Sequence, residues 1–280
     1  MNTSLLKFLS FILLFATASI LPVNVSAQAK YFIGFTDKQN STYSVDKPNE
    51  FLSARAIERR QKQGIAITTD DLPVSSTYIN QVAQIATTIH YPLRWFNGVV
   101  ATLTPQQLTA IQELSFVKSV TKVFEPTKSS TDEETDWQPL NQSDKNTFAN
   151  LNYGASYTQV AMMNGHILHG NGYLGDGMVI AVLDAGFLNA NTHSAFDSLR
   201  QKGRILGTRD FVNPHSDIYQ EHYHGTMVLS TMGGYVDGNL IGTAPRAKYW
   251  LIRTEDAATE QIIEEYNWAA GAEFADSVGA

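Results

Sequence analysis

The 280-residue sequence contains no cysteine. That excludes a disulfide framework, a cysteine zinc site and an enzyme with a cysteine nucleophile. Basic charge is also scarce: the formal net charge is −7, which argues against a nucleic-acid partner. The one basic run, Arg55, Arg59, Arg60 and Lys62, reads as the solvated face of a helix rather than a phosphate-binding patch. Beyond the N-terminus no segment is long and apolar enough to cross a membrane, and no internal repeat occurs. What the chain does have is 43% hydrophobic residues, enough to bury a sizeable core.

The N-terminus has the layout of a secretory signal peptide. Lys7 precedes an apolar run at 8–16, and small residues close the segment at Val25-Ser26-Ala27, with cleavage expected after Ala27. Pro22 and Asn24 interrupt the stretch, which makes a membrane anchor the poorer reading. The expectation is export, to the medium or the cell envelope.

Residues 28–125 read as a compact α+β unit. Strands are expected at 31–35 and 117–124, and helices at 51–63, stopped by Gly64, and at 76–86. Two β-rich runs, 89–96 and 99–103, flank Asn97-Gly98, a hairpin signal. Thr104-Pro105 opens a helix through Leu114 as N-cap and first helical residue. The order β-α-α-β-β-α-β is close to a ferredoxin-like split βαβ with one extra helix. Residues 126–147 are polar and acidic, including Asp132-Glu133-Glu134, and read as an exposed linker.

From 148 to 280 the pattern becomes α/β. A helix is expected at 157–169, ended by Gly170. Residues 178–183 form a continuous apolar run of strand length, as in a parallel sheet covered on both faces. Further strands are expected at 205–212 and 249–254, and helices at 224–232 and 260–278. Such alternation points to a doubly wound parallel sheet.

Two side chains stand out. Asp184 ends the buried strand at its carboxyl end, where ligand sites gather in open α/β sheets. It could equally cap the turn at Ala185-Gly186. His224 opens a helix at His224-Gly225-Thr226-Met227-Val228 and could present its ring to a cleft, although a lone histidine there is more often structural.

Taken together, the segments resemble the subtilisin (peptidase S8) family. Gly175-Asp176-Gly177 through Asp184-Ala185-Gly186 resembles that family's catalytic-aspartate motif, and the His224 segment its catalytic-histidine motif. Tyr153-Gly154 through His169-Gly170 resembles its opening helix, and Gly242-Thr243-Ala244-Pro245 the turn into the next core strand. Four segments in the right order are far more specific than any one. The resemblance implies a secreted serine endopeptidase acting on polypeptides, with His224 as general base and Asp184 orienting it. It implies that residues 28–125 are an inhibitory propeptide, the chain's own intramolecular partner and folding aid; the polar composition of 126–146 makes that segment the expected place of the cut that releases it. It implies no cofactor for the chemistry, with a structural calcium ion compatible but without assigned ligands.

The resemblance also implies a serine in a Gly-Thr-Ser-x-Ala context, which the sequence does not contain; Ser156, Ser230 and Ser277 lie in other contexts. The expectation is therefore a chain that stops inside its catalytic domain, inactive alone. Ala185 stands where the family has Ser or Thr, and Met227 where it often has His. Two alternatives remain: a non-catalytic secreted subtilisin-like binding protein or truncated product, and a metallohydrolase built on His222 and His224 or on His166 and His169. Substrate preference is not readable; Phe187 and Tyr223 could line a cleft or belong to core and surface.

Overall fold

The computed structural model describes residues 28–39, 41–126, 147–148 and 150–280. The expected signal peptide at 1–27 and nearly all of the acidic linker lie outside the described residues.

The first unit runs β1 (Ala29–Phe35), α1 (Ala54–Gln63), α2 (Ser76–Ile85), β2 (Thr88–Leu93), β3 (Gly98–Leu103), α3 (Pro105–Gln112) and β4 (Val117–Phe124). The four strands form one antiparallel sheet in the order β2-β3-β1-β4. Local chemistry satisfies terminal groups of α1 and α3. Ser53 Oγ accepts from Ala56 N–H at 3.1 Å to open α1, and Gly64, at φ 68°, closes it in the left-handed region. Thr104 and Gln107 form a reciprocal capping box at α3, with Pro105 at its first position.

Period-2 alternation gives this sheet two apolar faces. Ile33, Phe35, Val99, Ala101 and Leu103 pack under α2 and α3 with Val82 and Ile111. Phe32, Val100, Tyr91 and Leu93 point the other way, into a cluster shared with the second unit.

The second unit contains a two-strand ladder of β5 (Thr147–Phe148) and β6 (Leu151–Asn152), then α4 (Tyr157–Ala161) and α5 (Gly165–Gly170). It continues with β7 (Val179–Asp184), α6 (Asp197–Gln201), β8 (Ile205–Asp210) and α7 (His224–Gly233). The ladder β9 (Tyr235–Val236) with β10 (Leu240–Ile241), then β11 (Lys248–Arg253) and α8 (Ile263–Val278), complete it. Strands β7, β11 and β8 form a parallel sheet with β11 in the middle. Val182, Tyr249 and Leu251 face Leu229 of α7 on one side; Leu183, Trp250 and Ile252 face α8 on the other. A parallel sheet needs such cover on both faces.

The single helix expected at 157–169 is two. Asn164 adopts φ 58°, and that left-handed residue breaks the helix between α4 and α5. The hairpin at Asn97-Gly98 is present, but its loop is the four residues 94–97, because Leu93 pairs with Gly98. The N–H groups of Arg94 and Trp95 go to the Glu273 carboxylate of α8 (2.8 and 3.0 Å) instead of a ladder. The loop belongs to an interface.

That interface lies along α8. Its Ala269-Ala270-Gly271 run lets it approach the parallel sheet: a Cβ on Gly271 would meet Thr254 Cγ2 at 2.7 Å and Leu183 Cδ2 at 2.9 Å. The opposite side of α8 meets the first unit. Tyr91 donates to Asn267 Oδ1 at 2.5 Å, and the rings of Phe32 and Tyr266 lie 4.9 Å apart. Arg60 donates to Asp276 Oδ2 at 2.8 Å, Arg94 to the same oxygen at 2.5 Å, and Arg59 to Asp276 Oδ1. This corrects the reading of the basic run as a solvated face. Lys62 remains at the surface beside Glu58, but Arg55, Arg59 and Arg60 turn toward the second unit because α8 and the residues after it supply acceptors.

Candidate active site

Strand β7 ends in Asp184, paired in register with Arg253 at the end of β11. The Asp184 side chain is buried, at 6% exposure. A carboxylate in that setting needs partners, and it has them. Oδ1 accepts from Ala185 N–H at 2.7 Å, and Oδ1 and Oδ2 lie 2.9 and 3.0 Å from His224 Nδ1. Asp184 thus caps the turn at Ala185 and also meets the His224 ring.

His224 begins α7, and its ring is 54% exposed. The contact with Asp184 fixes its chemistry. An ionised carboxylate only accepts, so Nδ1 carries the proton and Nε2 keeps its lone pair. The arrangement is therefore a base with one nitrogen anchored and the other available, the orientation an Asp-His pair needs to move a proton.

Close backbone approach brings the pair together. A Cβ on Gly225 would fall onto Gly186 O and meet Asp184 Cβ and Phe187 Cε1, both at 2.9 Å; only glycine lets α7 start this close to β7. Around it, the loop after β7 is laced to the loop before α7. Phe187 N–H donates to Ile218 O, Asn189 N–H to Tyr219 O, and Thr226 Oγ1–H to Leu188 O.

Sequence reasoning missed the side chain beneath this pair. Arg253 is buried at the end of β11. Its Nε–H donates to Ala185 O at 3.0 Å, while Nη1 lies 3.4 Å from Asp210 Oδ2 and Nη2 3.2 Å from Glu221 Oε2. One guanidinium thus ties the ends of β7, β8 and β11 to the loop leading into His224. The available signal was an arginine closing the apolar strand Tyr249-Trp250-Leu251-Ile252, since a buried cation requires several acceptors.

Beside His224 lies a hollow of about 310 Å³ lined by Ala185, His222, Glu255, Asp256, Ala257, Glu260 and Glu264. Burial, then the neighbouring Asp184 carboxylate, pushes the Glu255 carboxyl up; His224 opposes this, and Glu260 adds a lesser upward push. Gln261, next in sequence to Glu260 of this lining, meets the first unit. Glu125, just past β4, is held by Gln261 at two points: Glu125 N–H donates to Oε1 at 2.9 Å, and Nε2 donates to Glu125 O at 3.1 Å.

The remaining candidates separate clearly. His169 is buried, with Nδ1 2.8 Å from Tyr153 Oη and Nε2 3.0 Å from Thr243 O, both structural contacts. His222 Nδ1 accepts from His224 N–H. Among the described residues no cluster of three or more His, Asp or Glu side chains is arranged to hold a metal ion. Ser156, Ser230 and Ser277 each hydrogen-bond backbone carbonyls of their own units. Phe187 is core; Tyr223 is part-exposed, with its ring 4.5 Å from that of His222.

Residues 30–138 match the family model described as the peptidase S8 propeptide domain of Bacteroidota. The first unit is therefore similar to a peptidase S8 propeptide domain. Among solved structures the chain is similar to the epidermin leader peptide processing serine protease EpiP of Staphylococcus aureus, in mutant and unmutated forms. Identities are 13% and 12%, with TM-scores of 0.43 for both. The matches cover 86% and 90% of this chain but 47% and 48% of those proteins, so the chain spans about half their length. No curated protein matches it.

Proposed function

We propose that this chain supplies the inhibitory propeptide and the Asp184–His224 half of the catalytic centre of an exported serine endopeptidase. The observation that carries the reading is the doubly contacted Nδ1 of His224, at 2.9 and 3.0 Å from the Asp184 carboxylate. In that role His224 Nε2 takes the proton of a serine hydroxyl and later returns it to the leaving amine. Asp184 holds the tautomer and stabilises the imidazolium. The chemistry needs no cofactor.

The antiparallel four-stranded unit is assigned a ferredoxin-like propeptide, and the parallel sheet with α7 and α8 on opposite faces a doubly wound catalytic domain. Gln261, the residue after Glu260 of the His224 hollow, holds the main chain at Glu125, which favours an exit of the propeptide toward the reacting groups. The cut that separates them is proposed within 126–146, and export through a signal peptide ending at Ala27.

The reaction requires a nucleophile that these 280 residues do not contain in the family's motif. The hollow beside His224 is lined without a serine. The second reading is a non-catalytic secreted subtilisin-like binding protein. A casein or fluorogenic-peptide assay of the protein secreted from its natural gene separates the two. The protease reading expects turnover abolished by His224→Ala; no turnover, or turnover that survives His224→Ala, overturns it. The 280-residue chain by itself is expected to show none.

A further inference from the structure

We propose that Asp276 and the three arginines converging on it form a charge-coded lock by which the catalytic unit recognises its own propeptide. The inference rests on the assignment of the first unit as a propeptide, and concerns how its seat on α8 is selected.

Asp276 lies on the last turns of α8, with its side chain 15% exposed. It receives Arg59 and Arg60 from α1 and Arg94 from the loop between β2 and β3. Two elements 34 residues apart in sequence, from Arg60 to Arg94, therefore read one carboxylate. The three arginines differ in how they are held within the first unit. Arg60 is fixed there by the Asp71 carboxylate, with Nη1 and Nη2 at 3.1 and 2.8 Å from its two oxygens. Its guanidinium is thus already aimed when the unit is free. Arg94 gives its side-chain hydrogen bonds to Glu273 O and Asp276 Oδ2, both on α8, and its guanidinium lies over the Trp95 ring at 5.5 Å. Arg59 bonds Asp276 and Ala280 O.

The lock is selective for a physical reason. A carboxylate surrounded by three guanidiniums in a mostly buried contact is stable only with its full complement; removing one member leaves a desolvated charge short of partners. The surrounding apolar contacts, such as Phe32 on Tyr266, would accept many hydrophobic surfaces. The charges would not: a surface lacking these cations would bury Asp276 unpaired, and an acidic one would be repelled. The class of partner that fits is a folded polypeptide presenting clustered guanidiniums, and residues 59, 60 and 94 present them.

The test is hydrogen–deuterium exchange on the full 280-residue chain, read at 93–96 and along α8. Asp276→Asn and Arg94→Met are each expected to speed exchange on both faces of the contact by about 30-fold or more. The double variant is expected to go little further than either single one, since both remove the same interaction. Arg59→Gln, on a partly exposed helix face, should show the same pattern more weakly and serves if Asp276→Asn fails to fold. Glu58→Gln, at an exposed pair on the same helix, should change nothing. Unchanged exchange at 93–96 in the Asp276 and Arg59 variants, or strictly additive effects in the double variant, overturns the lock. The readout needs no catalysis, so a failed protease reading leaves it intact.

Discussion

Arg253 Nε–H donates to Ala185 O at 3.0 Å, so the residue that follows Asp184 is anchored from the neighbouring strand. The same guanidinium holds Asp210 and Glu221, three residues before His224. Arg253→Met would leave the buried Asp210 and the part-exposed Glu221 without their cation. A loss of about 3 kcal/mol in unfolding free energy is expected, read by urea denaturation. Arg253→Lys should recover part of it, because a point charge cannot serve several acceptors in a plane.

Gly225→Ala tests how the pair is brought together. The added methyl group falls on Gly186 O and against Asp184 Cβ. A destabilisation of about 1–3 kcal/mol is expected from overpacking. The low-field Nδ1 proton of His224 should also broaden or vanish in NMR spectra. A sharp, unshifted resonance would show that the close approach is not what places the imidazole.

Asp184→Asn keeps the shape but presents an amide that both donates and accepts. Its amino group stabilises the wrong imidazole tautomer. In an active complete enzyme a drop in kcat of about 10⁴-fold is expected, measured at a pH where His224 is neutral. A drop smaller than tenfold would remove Asp184 from the proposed role.

Asp276 and Glu273, two of the carboxylates of α8, respond to acid in opposite senses. Burial alone would raise the Asp276 carboxyl, but the Arg60 hydrogen bonds and charge, with Arg94 and Arg59, hold it below 3.8. Its stabilisation is present above that value and is lost as pH falls through the depressed folded pKa. Burial pushes the Glu273 carboxyl above 4.5, against the N–H groups of Trp95 and Arg94. Glu273 therefore takes its proton first on acidification, and that protonation favours the folded state relative to the unfolded chain. Glu273→Gln should remove the gain in stability on acidification above pH 4.5 and leave the fall below 3.8, which belongs to Asp276, unchanged; thermal melts from pH 7 to pH 2 would show it.

Tyr91→Phe removes the donor to Asn267 Oδ1 across the contact. Both groups are buried, so the cost is that of an unsatisfied amide oxygen, about 1–3 kcal/mol. Calorimetry on the full chain reads it directly.

Much of this was legible because it is local. Gly64, Thr104 and Pro105 announce helix ends through their own backbone chemistry, and the β-rich runs at 31–35 and 99–103 announce strands. Asp184 and His224 were legible through the glycines and apolar runs around them, which are what a strand end packed against a helix start requires. The interface was not. Arg59 and Arg60 look like any basic helix surface until α8, more than two hundred residues later, places Asp276 opposite. The four-residue loop at 94–97 was misread for the same reason: Glu273 competes for its N–H groups. Contacts between residues so far apart leave no mark on either local pattern.

The cluster around Phe32, Val100, Leu183, Ile252 and Phe274 draws side chains from both units. Neither unit owns that hydrocarbon interior alone. The intact chain should therefore melt with a single heat-absorption peak whose calorimetric and van't Hoff enthalpies agree. Severing the chain between the units, without separating them, should leave that peak single but make its midpoint depend on protein concentration.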